Sequence, residues 1–354
     1  MNRHNKSLSD IRLKRFMLGG DFLSDKMMEV YSAYDMDIYQ TMRGRGAIVL
    51  KTDKGVFQMK QLDTNERRLT AEYEFKEKLY ESGFKNIDRC VPNNQEELIT
   101  YDRYGNPYVL RQFFEGKECN VMNEDEVLAA VDNLAYLHIT GKQVFDNTEV
   151  DVHIRVNDDF KKRNRELRRV KNFIIKQSPK KEFEDVYIRA YEYFYNQALS
   201  CENQWDDNVK NASLHLGYCH GMYNHHSVIL HRKTDDRLVV STINFDKFYV
   251  GNQLSDLYHF SRKVVEKNGY DFSILKKIIS RYSELCPMTA FDIDYIYRLY
   301  RYPEKFYKIS NQYMNSAKNW ISPKMLEKLN KVIDDEDKKQ ELLDTLYTYK
   351  QEFR

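Results

Sequence analysis

The stretch from His215 to Asp246 reads HLGYCHGMYNHHSVILHRKTDDRLVVSTINFD and carries the most informative pattern in the chain. Its apolar runs, Ser227 to Leu230 and Leu238 to Phe245, predict two short strands in a region that otherwise favours helices. Five of the nine histidines in the sequence lie in this stretch. A zinc site is one alternative, but the stretch has no C-x-x-C or H-x-x-x-H pair, which disfavours it.

Upstream of this stretch, the sequence predicts a small antiparallel sheet with one helix. The segment from Tyr34 to Met59 alternates apolar and polar residues between glycine-containing turns, which is typical of three strands joined in a meander. Thr64 to Gly83 has apolar residues at helical spacing and predicts a helix. Two more strands are predicted at residues 98–102 and 108–114.

The chain after Gly116 predicts mostly helices. Asn123 precedes a first turn of three acids and then an apolar stripe, which is typical of a helix start. Residues 158–176 and 183–200 are further helix candidates, and helices return from Asn252 onward. We therefore expect a small mixed lobe followed by a larger, mostly helical lobe.

Composition restricts the class of protein. The chain has 354 residues, a formal net charge of +2, 42% hydrophobic and 31% charged residues, which suit a folded globular protein. The near-neutral balance argues against nucleic-acid binding driven by bulk charge. The five cysteines include no C-x-x-C pair, so we expect no disulfide framework. We also expect no secretory signal and no membrane span, because the first residues are polar and basic and no run approaches about 18 apolar residues.

The stretch from His215 to Asp246 resembles the signature of the aminoglycoside/choline-kinase-like phosphotransferases. That signature is H-G-D-x-x-x-x-N, followed after a hairpin by an apolar run that ends in D-F or D-W. His220 and Gly221 match it, whereas Met222 stands at the Asp position and Ser227 at the Asn position. In the second motif, Asn244 stands where the metal-binding Asp belongs.

Within that superfamily, the chain most resembles the CotS family of spore coat proteins over about residues 30–345. The resemblance rests on the order and spacing of five features: the two motifs above, an Arg-Gly-Arg-Gly turn at 43–46, a Phe-Glu-Gly turn at 114–116 and a tyrosine-rich segment at 299–307. It implies an α+β, two-lobed protein-kinase-like fold. The small N-lobe would hold a five-stranded antiparallel sheet and a helix, and the large C-lobe would be mostly helical.

The resemblance also implies a division of the chain. We expect an N-terminal extension at residues 1–30, a kinase-like N-lobe at 31–115 and a helical C-lobe at 116–354. The degenerate catalytic loop would lie in the C-lobe at 215–246.

The altered motif positions remove chemistry that phosphoryl transfer needs. The reaction requires positioned phosphates, metal charge on the developing anion and a group that receives the acceptor's proton. In the family, the first Asp takes the proton, and the Asn and the second Asp hold the metal. Met222 offers no hard oxygen, Ser227 offers a single weak ligand, and Asn244 keeps an oxygen without its charge. We therefore expect a catalytically inactive pseudokinase, in which His220 only orders its loop.

The alternative is an active ATP-dependent phosphotransferase that acts on a small molecule or a coat protein. In that case Asp246 would bind the metal from two residues beyond the lost ligand, on the same strand face as Asn244. His225 or His226 would serve as the base.

A residual nucleotide site is implied in the N-lobe. Lys60 at the end of the third strand stands where kinase-like folds place the lysine that holds the phosphates, and we expect Glu72 as its helix partner. Gly44 and Gly46 stand where a glycine-rich phosphate loop would lie, although a short R-G-R-G is weak as a motif.

The resemblance implies no required cofactor, with ATP and Mg²⁺ at the residual site as the exception. It also implies synthesis in the mother cell cytoplasm, a final place in the spore coat, and other coat proteins as partners. Membrane, nucleic acid and secretion machinery are not expected partners.

The basic segment at 161–181 is interpreted as a solvated helix face, with an acidic-partner or nucleic-acid patch as the alternative. The tyrosines from Tyr295 to Tyr313 are interpreted as core packing, with assembly contacts or oxidative cross-links as the alternative.

Overall fold

The computed structural model describes residues 25–144, 156–204, 215–232, 238–316 and 322–353. Their contacts divide the chain into two compact units. The first unit holds the described residues up to Cys119 and those of 226–247, and the second holds the described residues of 120–225 and those after 247. The predicted N-lobe ended at 115, so the first unit also takes in the hairpin that follows the histidine-rich loop.

An antiparallel sheet of six strands organises the first unit. Its strands are β1 (Ile38–Gly44), β2 (Ala47–Thr52), β3 (Gly55–Gln61), β4 (Cys90–Val91), β5 (Thr100–Tyr101) and β6 (Pro107–Gln112). They lie in the order β1-β2-β3-β6-β4, and β5 also pairs with β6. The five predicted strands are present, and the two-residue β4 is the additional one.

Side-chain alternation gives this sheet two apolar faces. Met59 of β3 packs on one face against the helix α1 (Asp25–Ser32). Val109 of β6 packs on the other face against Leu69 of the helix α2 (Glu66–Glu81). Each fully buried aliphatic side chain of this kind contributes about 1.5–3 kcal/mol to stability. The sequence prediction did not include α1, which falls largely within the segment expected to be an extension.

The helix predicted from Thr64 to Gly83 is confirmed as α2. Asn65 caps its start by accepting a hydrogen bond from a backbone N–H. Gly83 follows its end with a φ of +103°, a conformation that glycine adopts without strain. Two charged residues of this helix, Glu72 and Lys76, are fully buried among its apolar residues.

Two smaller sheets contain the other described strands. The remaining strands are β7 (Lys117–Glu118), β8 (Leu216–Cys219), β9 (Val228–Arg232), β10 (Leu238–Thr242) and β11 (Tyr249–Asn252). In the first unit, β9 pairs with both β10 and β7. Gly116, just before β7, has a φ of +154°, and a Cβ there would lie 2.5 Å from the Leu230 carbonyl oxygen. Only glycine therefore permits this close approach of β7 to β9.

The second unit is mainly helical and pairs β8 with β11. Its helices are α3 (Glu124–Gln143), α4 (Val156–Ile175), α5 (Glu182–Asn203), α6 (Leu254–Lys267), α7 (Phe272–Leu285), α8 (Ala290–Arg301), α9 (Glu304–Asn315), α10 (Pro323–Asp334) and α11 (Glu336–Tyr349), followed by a 3₁₀ turn at Lys350–Phe353. Asn123 caps α3, as predicted. Within the described part of the chain, no helix combines the length and the apolar character that a membrane span requires.

The tyrosine-rich segment packs in the core of the second unit. Tyr295, Tyr300, Tyr302 and Tyr313 are each at most 3% exposed. Their hydroxyl groups have partners; for example, Tyr300 donates to Ser261 at 2.9 Å. The core-packing interpretation is therefore confirmed for these four side chains, because a buried hydroxyl needs such a bond.

Candidate functional site

Lys60 lies on β3, with its side chain on the α2 face of the sheet. Its cross-strand neighbour on β6 is Val109, which packs against α2. The Lys60 Nζ forms an ion pair with Asp246 Oδ2, and only 21% and 15% of the two side chains are exposed. The lysine that the resemblance assigns to phosphate binding is thus held by a carboxylate of its own chain.

Glu72 lies on the inner face of α2 but is not the partner of Lys60. Its carboxylate accepts two hydrogen bonds of 3.1 Å from Arg111 and one of 2.5 Å from Lys76. The predicted Lys60–Glu72 pair is therefore wrong, because Arg111 presents a planar fork to both oxygens and Lys76 follows one helical turn later. Burial would raise the pKa of Glu72, but the charges of Lys76 and Arg111 lower it to about 2.

Glu72 belongs to a group of six charged side chains within the first unit, which we name the charge network. Its members are the acids Glu72, Asp88 and Asp246 and the bases Lys60, Lys76 and Arg111. Lys76 bridges Glu72 and Asp88, and Arg111 bridges Glu72 and Asp246. Three acids match three bases, so the network is neutral when all are ionised. Removing one partner from such a buried set costs about 3–5 kcal/mol, because the remaining charge is left uncompensated.

Asn244 has a structural role through its backbone. Its φ is +69°, in the left-handed region that Asn adopts more readily than most residues. Its backbone N–H donates to Asp88 Oδ2 at 2.8 Å. Because β10 ends at Thr242, residues 243–246 do not continue the strand. The expected shared strand face of Asn244 and Asp246 is therefore wrong.

The surroundings of Asp246 do not fit a Mg²⁺ ion. Lys60 binds one carboxylate oxygen, and Arg111 Nη2 lies 3.3 Å from the other. Mg²⁺ needs free hard oxygens at about 2 Å in octahedral geometry, whereas both oxygens here already face cations. In the described ranges, no three His, Cys, Asp or Glu side chains are grouped so that they could hold a metal. The metal role of Asp246 stays a prediction that this geometry disfavours.

Ser227 is buried immediately before β9 in the first unit. Its carbonyl oxygen accepts a hydrogen bond of 2.9 Å from the backbone N–H of Ile243. This bond joins the start of β9 to the residue before Asn244. The fold thus brings two of the three altered motif positions close together.

The histidine–glycine pair of the first motif lies in the second unit. The backbone N–H groups of His220 and Gly221 donate to the Asp256 carboxylate at 2.6 and 2.9 Å. The His220 ring accepts a hydrogen bond of 3.2 Å from the Met222 N–H through Nδ1. Burial would raise the pKa of Asp256, but the hydrogen bond with His138 lowers it. These contacts are those of a histidine that orders its loop, and the Met222 side chain, 51% exposed, supplies no acid or base.

The R-G-R-G segment forms a tight hairpin between β1 and β2. Gly44 pairs with Ala47, so Arg45 and Gly46 alone form the turn, and Gly46 has a φ of +64°. Arg45 binds Glu118 through two hydrogen bonds of 2.8 and 3.3 Å. One of the two arginines of the turn, Arg45, is therefore already bound to a carboxylate. Whether Gly44 and Gly46 contact phosphate stays a prediction.

The two histidines proposed as a base, His225 and His226, are adjacent in sequence but belong to different units. His226 in the first unit places Nδ1 at 2.6 Å from Glu118 Oε2, the carboxylate that also binds Arg45. His225 belongs to the second unit. The assignment of either histidine as a base stays a prediction.

Sequence reasoning missed three members of the charge network, namely Lys76, Asp88 and Arg111. A signal for them was present, because Arg111 interrupts an apolar strand and Lys76 stands on the apolar face of a helix. Charged residues at such positions are rarely buried without partners. Their partners, however, come from the register of β6 and from a loop distant in sequence.

Comparison with known proteins identifies the fold. A family model described as spore coat putative kinase YutH matches residues 27–346. An aminoglycoside phosphotransferase from Alicyclobacillus acidocaldarius is similar in structure, with a TM-score of 0.76 and 17% identity over 94% of this chain and 98% of that one. The spectinomycin phosphotransferase APH(9)-Ia, solved with ADP and spectinomycin, has a TM-score of 0.58 and 13% identity over 89% of this chain and 95% of that one. An amicoumacin kinase, solved with AMP-PNP and Ca²⁺, has a TM-score of 0.57 and 11% identity over 96% of each chain.

A comparison with curated protein sequences found no match. The solved structures confirm the kinase-like phosphotransferase fold class, with its antiparallel sheet and helical C-terminal part. The family match covers nearly the whole chain and confirms the resemblance to CotS-like spore coat proteins. The chain belongs to this family of kinase-like spore coat proteins.

Proposed function

We propose that this protein is a catalytically inactive pseudokinase that serves as a scaffold in the bacterial spore coat. It would be made in the mother cell cytoplasm and recruited to the coat by contacts with other coat proteins. The family match supports its association with the spore coat. The chemistry of the first unit supports the loss of catalysis.

The observation that carries the proposal is the double occupation of the Asp246 carboxylate. Lys60 and Arg111 each neutralise one of its oxygens, within a buried network whose charges balance. A nucleotide phosphate that binds Lys60 competes with Asp246 for the charge and the N–H donors of this lysine. Any weakening of the ion pair leaves a largely buried carboxylate less well compensated, which is unfavourable. Met222 and Asn244 supply no carboxylate that could hold Mg²⁺ in place of Asp246.

Isothermal titration with ATP, with and without Mg²⁺, tests the proposal. We expect no heat of binding that depends on Mg²⁺, because both oxygens of Asp246 already face cations and are not free to share the ion with the phosphates. Phosphate release from ATP should stay at the buffer rate with and without candidate coat proteins. Lys60→Ala should leave both results unchanged.

The opposite outcome would establish the alternative, an ATP-dependent phosphotransferase. Mg²⁺-dependent turnover that Lys60→Ala abolishes, while the control Lys54→Ala retains it, would overturn the pseudokinase. Lys54 is an exposed lysine in the turn before β3, whose Nζ pairs with Asp35 and whose backbone N–H donates to Thr52. It therefore reports the unspecific effect of losing one lysine in this unit.

A further inference from the structure

Helix α4 of the second unit separates an apolar face from a strongly basic one. Its inner residues Phe160, Leu167, Val170 and Ile174 are at most 3% exposed. Five exposed cations lie on the outer side: Lys161, Lys162, Arg165, Arg168 and Arg169, which we name the basic stripe. Four of them follow the i, i+4, i+7 and i+8 spacing of one helical face. The stripe extends over about 12 Å at 1.5 Å per residue.

The side chains of the stripe form no hydrogen bond or ion pair with a described residue, unlike their neighbours on α4. Arg163 binds Asp159 and Glu304, and Lys171 lies 3.4 Å from Glu192. The charge of Lys162 still interacts with Asp159 and that of Arg168 with Tyr191, without a direct bond. Like charges at this spacing repel and destabilise a helix. An external anion would relieve that repulsion.

The stripe is a local feature and not a consequence of a basic chain. The whole protein carries a formal net charge of only +2. Helix α4 itself carries seven Lys and Arg against three Asp and Glu, so most of the balancing acids lie outside it. Such an asymmetric distribution gives the surface of α4 a local positive potential, which attracts an acidic partner and speeds its encounter.

A groove adjoins the stripe. It lies between α4 and α9, and its lining combines the apolar Leu167, Val170 and Met314 with polar residues that include Arg169, Ser310 and Asn311. Glu166 also lines it and accepts a hydrogen bond of 2.6 Å from the Tyr307 hydroxyl. Glu166 repels phosphates and carboxylates alike, whereas the near-neutral net charge of the chain argues against nucleic-acid binding through bulk charge. An acidic polypeptide offers carboxylates for the stripe and an apolar side chain for the groove.

We infer that the basic stripe and the adjoining groove dock an acidic segment of a partner protein. The carboxylates of that segment pair with Arg165, Arg168 and Arg169, whose guanidinium groups match carboxylate geometry. One apolar side chain of the segment enters the groove between α4 and α9. This surface shares no residue with the site on which the pseudokinase proposal rests, so the two proposals are tested independently.

Fluorescence anisotropy with a labelled synthetic helical peptide of Glu, Ala and Leu tests the inference. The full-length protein should bind this peptide at low ionic strength and more weakly at physiological ionic strength. The triple variant Arg165→Glu/Arg168→Glu/Arg169→Glu should bind at least about tenfold more weakly, because three favourable pairs become repulsive. All three positions are exposed, so the thermal unfolding midpoint should change little.

A matched control separates the stripe from total charge. Arg67→Glu/Lys324→Glu/Lys338→Glu makes the same change in net charge at exposed cations on three other helices. Its affinity for the peptide should stay within about twofold of the original protein. Equal losses in both triple variants, or no binding of the peptide at low ionic strength, would overturn the inference.

Two further probes test the class of partner. A peptide with Ser in place of Leu should bind more weakly than the Leu peptide, and equal binding would refute the role of the groove. Duplex DNA should bind more weakly than the Leu peptide at the same ionic strength. DNA binding that is tighter, and that the stripe variant abolishes, would overturn the protein partner in favour of a nucleic acid.

Discussion

At the scale of the residue, Arg111 connects the fold to the chemistry of the candidate site. Its guanidinium group binds both oxygens of Glu72 and lies 3.3 Å from Asp246 Oδ1. Only 4% of its side chain is exposed. One planar side chain thus fixes the helix α2 and the segment after β10 to the same strand. No smaller or uncharged residue can supply both contacts.

Replacement of Arg111 tests this role. Arg111→Met should lower the free energy of unfolding by about 3–5 kcal/mol, because two buried carboxylates lose a partner. Urea unfolding followed by circular dichroism measures the change. The control Arg67→Met, at an exposed position of α2, should change it by no more than about 0.5 kcal/mol. A similar small effect at Arg111 would mean that the charge network does not hold the unit together.

The pKa of Glu72 leads to a prediction of pH dependence. Its pKa is about 2 in the folded protein, against an ordinary value of 4.5. A lowered acid pKa stabilises the fold above pH 4.5, and this stabilisation, about 3 kcal/mol, is lost as the pH falls towards 2. Stability measured across this range should therefore fall less steeply in Glu72→Gln than in the original protein. If the stability of both proteins fell equally with pH, the lowered pKa of Glu72 would be contradicted.

At the scale of the element, the three-stranded sheet of β7, β9 and β10 positions Ser227, Asn244 and Asp246. Thr242 at the end of β10 exchanges backbone hydrogen bonds with Asn86 and Asp88. The chain then turns through the left-handed backbone of Asn244 and places Asp246 against Lys60. The position of this acid therefore depends on the pairing of short strands more than on its own local sequence.

Gly116 provides a test of that pairing. Gly116→Ala should destabilise the protein by about 2 kcal/mol or more, because the new methyl group would overlap the Leu230 carbonyl and the φ is unfavourable. Gly105→Ala is the matched control, since Gly105 also has a positive φ but has open space around its Cβ position. It should cost only about 1 kcal/mol. Thermal unfolding of the two variants gives the comparison, and equal midpoints would exclude the steric role of Gly116.

At the scale of the whole molecule, the motif of the active relatives is altered in both compact units. Met222 belongs to the second unit, whereas Ser227 and Asn244 belong to the first. Restoring the motif residues alone does not release Asp246 or Lys60 from each other. We therefore propose that the causes of catalytic inactivity are distributed over the chain and not confined to three positions.

The triple variant Met222→Asp/Ser227→Asn/Asn244→Asp tests this distribution. We expect no rapid ATP turnover, because Lys60 and Arg111 still neutralise Asp246 and Arg45 is still held by Glu118. A coupled assay for ADP with Mg²⁺ present measures it. Fast turnover in this variant would instead indicate that the rest of the catalytic apparatus is intact.

Much of the fold was predictable from local sequence. The strands of the first sheet and the helix α2 follow from side-chain periodicity, and Asn65 and Asn123 cap their helices as their positions indicate. The helix α1 was missed, although Met27, Val30 and Tyr31 form its buried face. The sequence located Lys60 and Asp246 but assigned Lys60 the wrong partner.

The sequence by itself determined the family, the order of the motifs and the residues lost from them. These properties depend on which residue stands at a position and on short spacings along the chain. Tertiary structure alone decided which charges meet. Lys60 and Asp246 are 186 residues apart in sequence, and Arg111 and Glu72 are 39 apart. Strand register and the backbone turn at Asn244 bring these groups together, and neither can be read from local periodicity because both are set by pairing between distant segments.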